Sequence, residues 1–124
     1  MVNKLDDAHS KFIRARDKRC VTCGAHDSLQ CGHLFTRAAY STRWDIATDG
    51  NAHCQCSSCN LRHEYDSYPF NNWYITKFGK PSWDAMHARH KSVYKMSTAQ
   101  MSELLDIIVK VTKAVQTYKE NLGL

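Results

Sequence analysis

The chain has 124 residues, 43% hydrophobic and 23% charged, which suits a single globular domain with one core and excludes an extended disordered protein. No apolar run approaches the roughly 18 residues that a bilayer span needs, and residues 1–7 carry no apolar signal segment, so neither a membrane protein nor a secreted disulfide scaffold is expected. The net charge is +5 and unevenly placed: residues 1–95 carry 14 Lys/Arg against 9 Asp/Glu, whereas residues 96–124 carry three of each. The basic excess therefore lies on the part that holds every cysteine and histidine. It suits a polyanionic partner, with a merely solvated basic surface as the plain alternative.

Taken in chain order, Leu5, Ala8, Phe12 and Ile13 recur at helical spacing. They predict a first helix over residues 3–17, with Asp6 and Asp7 near its positive end. Arg14, Arg16, Lys18 and Arg19 form a basic exit into Cys20, and Gly24 supplies the positive φ of a knuckle turn. Residues 29–35 suit one strand of a hairpin. Residues 36–51 read as a polar loop carrying Arg37, Arg43 and Trp44, and Asn60 is expected where the chain enters a helix. Pro69 and Pro81 fall at first-turn positions of two short aromatic-rich helices. Ser97 to Gln100 has the pattern of a capping box opening a long helix over residues 97–122, whose apolar positions keep a 3–4 spacing. That stripe suits core packing, with a dimer seam as the alternative.

Two C-x-x-C pairs, Cys20/Cys23 and Cys56/Cys59, frame a stretch of 32 residues. Two such knuckles meet the tetrahedral four-sulfur requirement of a structural zinc, and a redox motif would need only one pair. A site closed by four thiolates has no open position for water, so any catalysis must come from other side chains. Cys31 and Cys54 lie outside the pattern and are expected as small buried thiols on facing strands. His33 lies between the knuckles, with Asn51 and Asn60 placed to converge on it.

These residues resemble the HNH, or ββα-metal, nuclease superfamily, and look closest to the phage NinG/Rap recombination family, whose members act on Holliday junctions. The pattern is Cys20-x-x-Cys23, Gly32-His33, Arg37, Arg43-Trp44-Asp45 and Asn51-x-His53-x-Gln55-Cys56-x-x-Cys59-Asn60, covering roughly residues 12–80. A cysteine pair followed directly by asparagine is also similar to phage endonuclease VII. The resemblance implies that His33 is the general base and that Asn60 is a ligand of a catalytic Mg2+ or Mn2+. Asn51 would orient His33 by tying its loop. Arg37 would contact a phosphate oxygen, and Arg43, Lys18 and Arg19 would add DNA contacts. Many HNH enzymes carry an aspartate before the histidine as a second metal ligand, and Gly32 stands there instead. His63 or Glu64, one turn beyond Asn60, is expected to supply the missing ligand.

The expectation is therefore a small α+β protein, a single domain over residues 1–124. A zinc-stapled ββα-metal finger over residues 12–80 would be packed among helices and followed by the long C-terminal helix. Its expected activity is metal-dependent endonuclease cleavage of branched recombination intermediates. DNA is the expected partner, with a homodimer to supply two active sites. The expected location is cytoplasmic, that of the host cell for a phage-encoded chain. The alternatives are a non-catalytic zinc ribbon that binds nucleic acid and an HNH enzyme that cuts linear duplex.

Overall fold

The computed structural model describes residues 1–123 as six helices and one two-stranded antiparallel sheet. In chain order these are α1 (Val2–Asp17), β1 (Leu29–His33), α2 (Tyr40–Arg43), β2 (Ala52–Cys56), α3 (Ser57–Arg62), α4 (Tyr68–Phe78), α5 (Lys80–Lys91) and α6 (Thr98–Asn121). The class is α+β, as expected. No helix among the described residues is long and apolar enough to cross a membrane.

The sheet is the middle layer, and its register decides what each face carries. Leu29 pairs with Cys56, Cys31 with Cys54 and His33 with Ala52, so these alternate residues share one face. That face meets α1 and, behind it, α6, in a core of Leu5, Phe12, Ile13, Trp44, Cys54, Met101 and Ile108. Cys31 and Cys54 are thus cross-strand neighbours on facing strands, Cys54 fully buried and Cys31 partly so. Gly32 and His53, with Gln30 and Gln55, take the opposite face. There His53 is ringed by Phe70, Trp73, Tyr74 and Phe78 of α4, beside a second core of Leu34, Phe70, Tyr74 and Met86.

The helix termini follow their local chemistry. Both prolines sit in the first turns of α4 and α5. The Ser97 side chain accepts from Gln100 N at 3.1 Å while Gln100 Oε1 accepts from Ser97 N at 2.8 Å, closing the capping box of α6. The α6 stripe packs on α1 through Met101 and Ile108, while Tyr118 and Leu122 near its end are exposed.

Three local expectations change. The segment read as a loop over 36–51 contains the one-turn helix α2, and Trp44 at its end is buried with its indole N–H on the Asp6 carboxylate at 2.8 Å. Helix α3 begins at Ser57, not at Asn60, because the Cys56 sulfur caps the helix by accepting from Cys59 N. Arg16 does not extend the basic exit. Its guanidinium turns inward onto the carbonyls of Ile46, Ala47 and Ala52, the Asp17 carboxylate and His53 Nδ1.

Candidate metal centre and adjoining cleft

The two knuckles converge. Cys20 and Cys23 follow α1, Cys56 ends β2, Cys59 lies in α3, and their four sulfurs lie within 4.8 Å of one another. The Cys23 and Cys56 sulfurs, one from each knuckle, are 3.7 Å apart. In each knuckle the backbone N–H of the second cysteine points at the sulfur of the first, at 3.5 Å in both. Burial opposes ionisation of Cys20, but surrounding backbone N–H groups outweigh it and hold the thiol down to about 7. Cys59 moves the other way, pushed up by burial and by the neighbouring thiols, and it is the convergence of four sulfurs that fits a structural zinc.

Beside this centre the α1 face of the sheet opens into a cleft of about 480 Å³. Asp6, Asp7 and His9 of α1 form one wall, with Cys31 and His33 of β1 at the base. Arg37, Asn60 and Glu64 stand around the remaining rim. His33 Nε2 donates to the Arg43 carbonyl at 2.9 Å, which leaves Nδ1 as the ring's acceptor. Burial, aided by the neighbouring His9 and Arg37, pushes the His33 pKa down to about 4, so its ring is neutral near pH 7.

Asn51 is fully buried and outside the cleft lining. Its amide accepts from Phe35 N at 2.8 Å and donates to Phe35 O at 2.9 Å and Thr42 O at 3.4 Å. It therefore fastens the end of β1 to α2, the two segments that the His33–Arg43 contact also joins. Asp45 adds to this clamp by accepting from Asn51 N at 2.8 Å and pairing with Arg89 through both carboxylate oxygens.

Asn60 lines the cleft, and its amide donates to Gln30 Oε1 at 2.9 Å. Glu64, one turn further, also lines it, whereas His63 does not. His63 Nε2 instead donates to the Leu34 carbonyl at 3.0 Å and its ring packs edge-on against Phe70. Of the two candidates one turn beyond Asn60, Glu64 lies in the lining of the cleft and His63 lies outside it. Gly32 also has a reason: a Cβ there would lie 2.3 Å from Gln55 Oε1, so the buried Gln55 side chain fills the space an aspartate would need.

Among the basic residues, Arg37 has 57% of its side chain exposed at the rim, with Asp6 3.5 Å away. Arg43 is different, with 17% exposed, its Nε and Nη2 on the Asp6 carboxylate and its Nη1 on the Arg37 carbonyl, so it ties α2 to α1 and does not face outward. Lys18 caps α1 in a left-handed conformation. Arg19 lines another cleft, with Trp73 and Lys77. The sequence reading missed the α1 wall altogether. Its signal was His9 itself, four residues from both Leu5 and Ile13, on the buried stripe of the helix.

Fold and site define a small α+β protein in which four thiols placed to hold a structural zinc adjoin a cleft lined by histidine, asparagine and carboxylates. The chain belongs to the family of the bacteriophage lambda NinG protein, whose family model matches residues 1–120. It is 32% identical over 95 residues to Protein ninG of Salmonella phage P22, covering 73% of this chain and 45% of that protein. It is 31% identical over 94 residues to Protein ninG of Escherichia phage 933W and 30% identical over 94 residues to Protein ninG of Escherichia phage lambda, each match covering 72% of this chain and 45% of the relative. The chain therefore spans under half the length of these curated relatives. No solved structure matches it.

Proposed function

We propose that the chain is a divalent-metal-dependent DNA endonuclease of the HNH, or ββα-metal, type that acts on branched recombination intermediates. One observation carries the reading: His33 reaches an open cleft as a neutral ring, its Nε2 committed to the Arg43 carbonyl and its Nδ1 left to accept a proton. In this reading Nδ1 takes a proton from the water that attacks the scissile phosphate. Arg37, exposed at the rim, pairs with a phosphate oxygen. Asn51 keeps the β1–α2 connection in place and so fixes the direction of the histidine.

Asn60 and Glu64 offer oxygen donors on one wall of the cleft, with Asp7 across it, which suits a hard cation such as Mg2+ or Mn2+. Such an ion, when bound, stabilises negative charge developing at phosphorus and on the leaving oxygen. The structural zinc takes no part in the chemistry. Preference for branched DNA rests on the resemblance to the NinG/Rap family, and a homodimer would supply two such clefts for a two-strand cut.

The test is cleavage of a labelled four-way junction and a matched linear duplex with Mg2+ or Mn2+, wild type beside His33→Ala. Loss of a general base should slow cleavage by about 10²- to 10⁴-fold while the zinc of the four-cysteine centre is retained. A folded wild-type protein with one zinc per chain, in the four-cysteine centre, that binds both DNAs and cuts neither would overturn the nuclease in favour of a binding module. Equal cutting of both substrates would remove the branch preference alone.

A further inference from the structure

A second ligand cluster lies in the cleft, and the proposed nuclease uses only one of its members. Strand alternation puts Cys31 and His33 on the same face of β1, and α1 crosses that face with His9 pointing at both. One ligand atom from each of His9, Cys31 and His33 lies within 4.8 Å of the others. His9 Nδ1 is 3.8 Å from the Cys31 sulfur, and the two imidazole centroids are 5.8 Å apart.

The orientation of the rings is the second observation. His9 Nε2 is 2.7 Å from the Asp45 carbonyl, and His33 Nε2 is 2.9 Å from the Arg43 carbonyl. A carbonyl only accepts, so each Nε2 carries the hydrogen and each Nδ1 presents a lone pair. Metal-binding histidines are held in this way, with the remote N–H fixed on a backbone carbonyl or carboxylate. A tetrahedral zinc with bonds of about 2.0–2.3 Å needs its ligand atoms roughly 3.5 Å apart, so small side-chain rotations suffice to close the set. The fourth position would open to the cleft. Nitrogen and sulfur donors select zinc over Mg2+, whereas the oxygens of Asn60 and Glu64 have the opposite preference.

We propose that His9, Cys31 and His33 form a second metal site, specific for a soft divalent ion such as Zn2+, and that zinc held there inhibits the nuclease. The inhibitory half rests on the function proposed above: zinc on His33 Nδ1 occupies the lone pair that would accept the proton. The binding half stands without it. The site joins three residues, two elements and the open cleft, so an ion reaches it without unfolding the chain.

The experiment begins with protein carrying one zinc per chain in the four-cysteine centre, titrated with Co2+. Wild type is expected to take a second ion with a thiolate-to-cobalt absorption band. Cys31→Ser should lose that band, and His9→Ala should weaken binding by about 100-fold or more. Retention of the first zinc reports that each variant is folded, and Cys31→Ala replaces Cys31→Ser if the latter loses it. A wild type that binds no second ion, or zinc-retaining variants that bind it as tightly as wild type, would overturn the site. In the Mg2+-supported cleavage assay, added Zn2+ should slow wild type at least about tenfold and leave Cys31→Ser little changed. A second ion that binds while cleavage continues at full rate would overturn the inhibition. If no protein cuts DNA with any ion, the nuclease reading fails by itself and the ion count still decides the site.

Discussion

His53 illustrates how far a single residue can differ from its sequence appearance. Its place three residues before Cys56 makes it look like a spare zinc ligand, yet both ring nitrogens are occupied. Nε2 donates to Gly50 O at 2.7 Å, and Nδ1 accepts from Arg16 at 3.2 Å. Burial first, and then the Arg16 charge, push its pKa down to about 4. In the unfolded chain it returns to about 6.5, so between these values the unfolded state binds the extra proton. Stability should therefore fall as pH drops through that window. His53→Gln keeps a donor for Gly50 but cannot titrate, so its stability loss relative to wild type, about 1–2 kcal/mol at pH 7.5, should shrink or vanish at pH 4.5. Chemical denaturation at both values checks this, since thiol protonation at the zinc site is common to both proteins and cancels in the difference. A gap that is constant with pH would show that His53 is not buried neutral. No sequence pattern gives such a state, because it depends on Arg16 arriving from α1. Gly32 is similar: its missing side chain is a departure from a motif until Gln55 is seen in the space.

At the level of elements, the parts fixed by short-range chemistry were legible. The apolar periodicity of α1 and α6, the prolines opening α4 and α5 and the Ser97–Gln100 box all act within one or two turns, and each lies where the residues indicate. What was not legible depends on contacts distant in sequence. Helix α2 carries no pattern of its own and is held by Asn51 on the Thr42 carbonyl and by the Arg43–Asp6 pair. The role of α1 as a wall of the cleft likewise depends on its crossing over β1, which 3.6-residue periodicity cannot specify. A short-range device should have a separable, moderate effect. Ser97→Ala should cost about 1 kcal/mol of stability by removing the acceptor for Gln100 N, without altering the zinc content. Urea unfolding checks it. Because α6 packs on α1 through Met101 and Ile108, the loss should appear in the global transition. Fraying confined to the first turn of α6, with an unchanged midpoint, would contradict that coupling.

Over the whole molecule, the sheet separates two apolar cores, and the four-thiol centre lies at its Cys56 end. On one face α1 and α6 close over apolar side chains that need no ion. The zinc-type centre instead joins the exit of α1, the end of β2 and the start of α3, segments otherwise linked by hydrogen bonds such as Val21 N to Cys54 O, Cys54 N to Asp17 and Ser57 N to Ser28 O. Metal bound only by the folded state adds its binding energy to folding, so removal should lower the melting temperature markedly. The loss should be local first, since regions with few buried apolar contacts open at lower free energy than a helical core. Under reducing conditions a strong chelator should raise amide exchange most over residues 18–31 and 54–66, by about 10-fold or more, while α1 and α6 stay protected. Cys23→Ser, at an exposed ligand position, should give the same map without chelator. The His33 cleft lies between the two regimes, with α1 as one wall and α3 bringing Asn60 to another. Chelation should therefore disperse the cleft residues while leaving the α1–α6 pair in place. If the midpoint and the exchange map are both unchanged by chelator and by Cys23→Ser, the four thiols hold no structural metal and the apolar cores alone position the cleft.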